Sequence, residues 1–203
     1  ACRRLYSISV FFDASLSFEH FSYDCCRQEY EISKSPSHAI PAGGKALDTG
    51  RENVMITEID RQMLRVAFEE AKQGFDEGGC PIGSVLARGG QEVSRGHNQR
   101  VQQGDPIAHG EMDALRKAGR QRTYRDTVLY TTLSPCMMCS GTIVQFGIPR
   151  VVVGENTTFG GNENFLREHG IEVIVADDPD CIALMAKFIR EKPELWAEDI
   201  AES

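Results

Sequence analysis

Four residues of this chain have the types and spacing to hold a divalent cation beside a proton-transfer group: His109, Glu111, Cys136 and Cys139. His109 and Glu111 stand two apart in "PIAHGEMDALRKAG", where a polar loop turns into an apolar-periodic run. Neither is a favoured helix cap, because Ser, Thr, Asp or Asn would use a side-chain oxygen to satisfy the free N–H groups there. A role other than capping is expected of them. Cys136 and Cys139 follow in "LSPCMMC", three apart in a first helical turn, so both sulfurs converge on one point. The positive end of that helix favours thiolates, and both sulfurs are expected to ionise at neutral pH.

One imidazole and two thiolates make three protein ligands, and a catalytic zinc keeps a fourth position for water. Two thiolates neutralise the formal charge of the ion and leave it a weaker Lewis acid than one held by three imidazoles. A carboxylate at the water is then needed, and Glu111 is the candidate base. The separate pieces carry little weight. A lone H-x-E is close to uninformative. A lone C-x-x-C suits a redox pair, or half of a structural zinc site whose further ligand would come from Cys80, His97, His169 or Cys181. A redox pair would belong in a thioredoxin-like arrangement early in the fold, which this chain lacks.

The elements that must position these residues emerge from the hydrophobic periodicity. Thr57 with Asp60 three residues on opens a helix whose inner face is expected to carry Ile59, Met63, Val66, Ala67 and Ala71, ending at Gly74 and the Gly78-Gly79 pair. "PIGSVLARGGQEVSRGHN" predicts two strands around a Gly89-Gly90 turn. A loop follows at 104–106 and a helix from His109 to Ala118. After the β-branched strand "TVLYTT" come a helix over Met137 to Phe146, the buried strand "RVVVGE", a short helix over Asn162 to His169, and the strand "IEVIVA". A helix over Cys181 to Glu191 completes the order, with Ile182, Met185, Ala186 and Ile189 on its inner face. This alternation predicts a three-layer α/β/α sandwich around a mixed sheet of about five strands, with ligands collecting at strand C-terminal ends.

Composition bounds the partners. The chain has 203 residues, 41% of them hydrophobic, enough for a real core, and carries a formal charge of −8 from 30 acidic against 22 basic residues. That balance argues against general electrostatic capture of phosphate backbones, and a small neutral ligand suits it better. Arg116, Lys117, Arg120, Arg122 and Arg125 form a local basic cluster, read as a solvated helix face and loop because no aromatic residues interleave. No apolar run approaches the roughly 18 residues needed to cross a bilayer. Seven cysteines with one close pair suggest a reduced protein with a metal or redox site and a cytoplasmic location. Residues 1–54 hold no sustained period and include "SKSPSHAIPAGGKALDTG"; a poorly ordered or non-native extension is expected there, with residues 55–203 as the folded domain. "RRLYSISVFF" makes a poor secretion signal, since Asp13 interrupts it and no small-x-small site follows.

The conjunction H-x-E, then P-C-x-x-C after a strand, is the signature of zinc-dependent base deaminases, and His109, Glu111, Pro135, Cys136 and Cys139 match it in full. At these residues the chain resembles the cytidine and cytosine deaminase superfamily, and most of all the fungal-type cytosine deaminases. The likeness runs over residues 57–202 through "EGGCPIG", "RGHN", "HGE", "LYTTLSPCMMC", "GIPRVVVGEN" and "LWAEDI". It implies a cytidine deaminase-like fold, one zinc per subunit, a homodimer, and hydrolytic deamination of a free aminopyrimidine such as cytosine. Isocytosine deamination on the same scaffold, tRNA adenosine deamination and a non-catalytic zinc module are the alternatives. The resemblance gives Glu111 the catalytic role, and gives Asn98, Gly110, Ser134, Phe159, Trp196 and Asp199 to the substrate: Asn98 to the base, the Ser134 carbonyl to the exocyclic amine, and Phe159, Trp196 and Asp199 to closing the pocket. Cys80 and Ala197 depart from the family pattern, which expects a plain apolar residue at the first and a bulkier aromatic at the second, so both are expected to reshape the pocket wall.

Overall fold

The computed structural model describes residues 56–201. The expectation for residues 1–54 lies outside the described residues. Within them the order is α1 (Glu58–Asp76), β1 (Gly83–Arg88), β2 (Gln91–His97), α2 (Arg100–Gln103), α3 (Gly110–Ala118), β3 (Thr127–Leu133), α4 (Met137–Phe146), β4 (Arg150–Glu155), α5 (Glu163–Glu168), β5 (Glu172–Val175), α6 (Pro179–Glu191) and α7 (Pro193–Asp199). The five strands form one sheet in the order β2-β1-β3-β4-β5. β1 runs antiparallel to both β2 and β3, while β3, β4 and β5 are parallel. The sheet is mixed as expected.

Alternation along the central strands builds the two outer layers. Leu86, Leu129 and Val151 are register partners and point to one face, where they pack with Leu115 of α3, Ile143 of α4 and Leu166 of α5. Their neighbours Val85, Tyr130 and Val152 point to the other face, against Leu64 and Ala67 of α1. A one-residue slip of β3 would exchange these two sets, so the register is fixed by burial on both sides. The hairpin turn sits at Gly89 and Gly90, with φ of 58° and 78°, a left-handed pair that glycine adopts without steric cost. Gly83 is needed for closeness: a Cβ there would collide with the Ala67 carbonyl and the Ala71 amide of α1.

Two predicted inner faces differ from the observed ones. In α1 the buried residues are Asp60, Leu64, Ala67, Ala71 and Gly74, whereas Ile59 is 49% exposed and Met63 and Val66 are only half-buried; the helix also runs past Gly74 to Asp76. The face is set by an acid that an apolar pattern passes over. Asp60 lies under the sheet because Arg150 of β4 donates to both its oxygens, at 2.7 and 3.0 Å, and the Tyr130 hydroxyl adds a bond of 3.0 Å. In α6 the buried residues are Cys181, Met185 and Phe188, spaced i, i+4, i+7, while Ala186 is exposed and Ile182 and Ile189 are half-buried. α2 and α7, where the sequence reading places no element, are helical.

Connectivity brings one end of every central strand to the same edge. The C-terminal ends of β2, β3 and β4 and the N-terminal end of antiparallel β1 meet there, with Gly83 opposite His97 and Leu133 opposite Glu155. This is the edge at which an α/β sheet accepts ligands.

Exposed pairs such as Arg65 with Asp180, both more than half exposed, contribute under about 1 kcal/mol. The buried Asp60 pair is different. Burial works against the Asp60 charge, but the Arg150 guanidinium and the Thr57 and Tyr130 hydrogen bonds hold its carboxyl well below the ordinary range. Arg150→Met should therefore cost about 3 kcal/mol in urea unfolding at neutral pH, by leaving a buried charge unpaired. A depressed carboxyl stabilises above its unfolded pKa and loses that contribution as pH falls. The gap between wild type and variant should narrow below about pH 4, and a gap independent of pH would contradict the assignment.

Candidate active site

Both metal-ligand candidates at helix starts are N-cap residues that cap nothing. His109 caps α3 with extended backbone (φ −72°, ψ 163°) and Cys136 caps α4 (φ −67°, ψ 174°), and neither side chain bonds a helix N–H. Their carbonyls still begin the helices, accepting from Asp113 and Ser140 at 2.9 and 2.8 Å. The side chains are left to point at each other. Cys139 lies at the third helical position of α4, the spacing at which a cap and its N3 side chain meet. The ligand atoms of His109, Cys136 and Cys139 lie within 4.8 Å of one another, the one such triad among the described residues.

The other donors considered from the sequence are engaged elsewhere. Both ring nitrogens of buried His97 meet carboxylates, Glu70 at 2.9 Å and Glu77 at 3.0 Å. His169 is on the surface against the Phe165 carbonyl. Cys80 packs with Ile82, Leu133 and Trp196, and Cys181 is buried at the start of α6.

The triad's electrostatics match a soft divalent cation. The adjacent Cys139, together with His109 at 3.6 Å, outweighs burial to pull the Cys136 thiol down to about 4. Cys136 and burial, with the Glu111 carboxylate to which the Cys139 thiol donates at 3.4 Å, push the Cys139 thiol well up. With a cation bound between them both thiols are expected as thiolates, since a coordinating thiol is deprotonated. Burial opposes the charged form of His109, yet the Cys136 sulfur and the Glu111 and Asp199 carboxylates prevail and raise its pKa. One imidazole and two sulfurs carrying this much shared negative charge form the donor set of a zinc site with an open position.

Glu111, at the second position of α3, is 3% exposed. Its oxygens sit 3.4 Å from the Thr131 hydroxyl and 3.4 Å from Cys139 Sγ. Burial raises its pKa, with the Cys136 charge adding to that and His109 working against it. A carboxyl in this position can accept a proton and return it.

Above the triad opens a cavity of about 320 Å³, at the lower end of small-ligand sites. His109, Glu111, Ser134, Cys136, Phe159, Trp196 and Asp199 all line it. Asn98 and Gly110 do not reach the open wall: Asn98 is wholly buried behind Asp199, with its Nδ2 3.3 Å from Asp199 Oδ1, and Gly110 is pressed against the Ile82 carbonyl. Cys80 and Ala197 are likewise absent from the lining; Cys80 sits behind it, where burial and the Asp199 charge push its thiol up. Phe159 and Trp196 meet edge to face, with centroids 6.0 Å apart.

Several residues of the site escape sequence reasoning. Ile82, Leu133, Met137, Asn162, Ile200 and Ala201 complete the wall, and they are ordinary apolar or turn residues in the sequence. Two buried acids hold the loop that carries Phe159. Glu155 accepts from the Thr157 and Thr158 amides at 2.6 and 3.0 Å, and Glu163 accepts from the Ser134 hydroxyl at 2.8 Å and the Asn156 amide at 3.0 Å. The Ser134 hydroxyl is thereby committed to structure.

A mixed α/β/α sheet carrying one imidazole, two paired sulfurs and a buried carboxyl over a small cavity defines a zinc-dependent hydrolase of the deaminase type. Residues 57–155 match the cytidine and deoxycytidylate deaminase zinc-binding region. The chain belongs to that deaminase family. It is 52% identical over 150 residues to a cytosine deaminase of Candida albicans, covering 72% of this chain and 100% of that protein. It is 33% identical over 151 residues to a tRNA-specific adenosine deaminase of Streptococcus pyogenes, covering 68% of this chain and 94% of that one. Among solved structures, one from work on adenosine-to-inosine editing by tRNA deaminases at the wobble position is similar with a TM-score of 0.55 and 25% identity, over 61% of this chain and 99% of that chain.

Elemental analysis of the purified protein should find about one zinc per chain, with Cys139→Ser and His109→Ala falling well below that and Cys181→Ser unchanged. Full loading of the two ligand variants would contradict the site.

Proposed function

We propose that this protein is a zinc-dependent cytosine deaminase acting on the free base, converting cytosine and water to uracil and ammonia. The observation that carries the reading is the buried Glu111 carboxyl beside the His109, Cys136 and Cys139 triad, facing a cavity of about 320 Å³. The similarity to a cytosine deaminase, over 72% of this chain and all of that protein, supports it. No helix among the described residues is long and apolar enough to cross a membrane. A site resting on free thiols requires a reducing compartment, and the cytoplasm is the location we propose.

When bound by the triad, zinc supplies a Lewis acid that brings water toward ionisation near neutral pH. Glu111 takes a proton from the attacking water at one carboxylate oxygen as the new C–O bond forms at the ring carbon bearing the amine. It gives that proton to the adjacent ring nitrogen. It then takes the second proton from the added hydroxyl and passes it to the departing amine, so that the C–N bond breaks and ammonia leaves. Phe159 and Trp196 hold the ring plane, which contributes several kcal/mol by orientation. Asp199, with Asn98 behind it, serves the polar edge of the ring, and the Ser134 carbonyl receives the exocyclic amine.

The tRNA reading is the enzyme rival, since a tRNA-specific deaminase is also similar to this chain. Two members of the basic cluster are already paired, Lys117 with Asp113 at 2.8 Å and Arg116 with Asp105 at 3.6 Å, and the whole chain is acidic. Isocytosine remains the alternative base, because its amine sits on a different ring carbon of the same skeleton. Ammonia release should be rapid with cytosine, slower with isocytosine and unaffected by added tRNA. Glu111→Ala should keep its zinc and lose about 10³-fold in kcat, and near wild-type turnover by that variant would refute the role.

The homodimer we assign to the face of α3 and α4. Phe146 is 44% exposed there and lines an apolar groove with Met112, Leu115 and Tyr124. Large exposed apolar side chains clustered on one face mark an association surface. Sedimentation equilibrium should give the mass of two chains, and Phe146→Glu should shift it toward one; a wild-type monomer would contradict the assignment.

A further inference from the structure

Arg100 begins the short helix α2, two residues beyond Asn98, and no feature of the zinc motif points to it. Its side chain is only 11% exposed. Nη1 donates to Asp199 Oδ1 at 2.7 Å, Nη2 donates to Glu198 at 3.2 Å, and its backbone N–H donates to Asn98 Oδ1 at 3.1 Å. Asn98 Nδ2 closes the ring by donating to the same Asp199 oxygen at 3.3 Å. The Glu198 contact is 66% exposed on the acid's side and contributes little. The Asp199 contact is different: its carboxylate is 4% exposed, and it is a charge-assisted bond out of water.

Asp199 also needs a cation for a second reason. It is the last residue of α7, where the helix dipole disfavours a carboxylate. Arg100 offsets that. The other end of α7 is tied by Lys192, whose Nζ donates to the Gly78 carbonyl at 2.8 Å. Trp196 lies between these two ties and, with Asp199, forms part of the cavity wall.

We infer that Arg100 is a positioning residue for the substrate: by fixing one Asp199 oxygen it sets the other toward the cavity, and by anchoring the end of α7 it holds Trp196 against Phe159. The inference rests on the proposed reading of the cavity as the site for a free aminopyrimidine. Its signature is a split between binding and chemistry, since Arg100 touches neither Glu111 nor the triad. Arg100→Gln should raise KM for cytosine about tenfold with kcat within about threefold of wild type. Arg100→Lys keeps a charge and a fold close to wild type, and should raise KM by a smaller factor of about three.

The decisive comparison is in the Asp199→Asn background. If Arg100 acts through Asp199, adding Arg100→Gln there should change KM less than about twofold, because the interaction is already lost. An equal tenfold loss in both backgrounds, an unchanged KM in both Arg100 variants, or a fall in kcat with KM constant would overturn the inference. If Asp199→Asn and Asn98→Ala themselves leave KM unchanged, the substrate reading of this wall fails and the role of Arg100 fails with it. If they raise KM while the Arg100 variants do not, only the role of Arg100 fails.

Discussion

The constraint on which everything else depends is the convergence of His109, Cys136 and Cys139, whose ligand atoms lie within 4.8 Å of one another. Two thiolates brought this close in a largely buried site repel each other, so the site needs a cation between them. The chain creates this need by spending two helix N-caps, His109 and Cys136, on residues that make no capping bond. Each substitution of a Ser or Asp cap by a non-capping residue costs about 1 kcal/mol, so the pair forgoes roughly 2 kcal/mol of helix stability for coordination geometry. Metal binding recovers far more than that. The same two helix starts place Glu111 two residues past the imidazole, so the acid arrives at the open side of the triad with no further element required.

The rest of the site is held by buried carboxylates, each with a different partner. Asp60 ties α1 to β4 through Arg150, beneath the sheet. Glu155 and Glu163 order the loop that presents Phe159 and the segment carrying Ser134. Asp199 fastens the end of the chain over the cavity through Arg100. In every case the acid sits at the end of a strand or helix at or near the sheet edge where the ligand binds, or fixes a layer that supports that edge. The excess of acidic residues in the composition is thus partly structural and not only solvated surface.

Much of the fold was legible because its elements obey simple periods. The strands at Val85, Leu129 and Val151 carry near-continuous apolar runs, and the turn at Gly89 and Gly90 is explicit. The inner face of α1 was misassigned because a charged residue, Asp60, faces the core, and no apolar pattern can reveal that without knowing where Arg150 lies. α7 escaped for a related reason: its amphipathic content is one buried Trp, and its ends are fixed by Lys192 and Arg100 from distant parts of the chain. The candidate zinc donors were legible only from the conjunction of H-x-E with P-C-x-x-C, since neither piece alone singles them out. The cavity wall was legible only in part, since Ile82 and Leu133 are indistinguishable in sequence from core residues, and Asn98 proved to stand behind Asp199 instead of on the wall.

The central claim is a cation held by one nitrogen and two sulfurs with a corner left to solvent. X-ray absorption at the zinc edge of the purified protein tests it most directly. The account predicts a first shell of two sulfurs near 2.3 Å, one nitrogen near 2.0 Å, and a light solvent ligand that changes when a base analogue binds, distances taken as about those of known zinc sites. A shell of four protein donors unaffected by the analogue, or no ordered zinc at all, would contradict it.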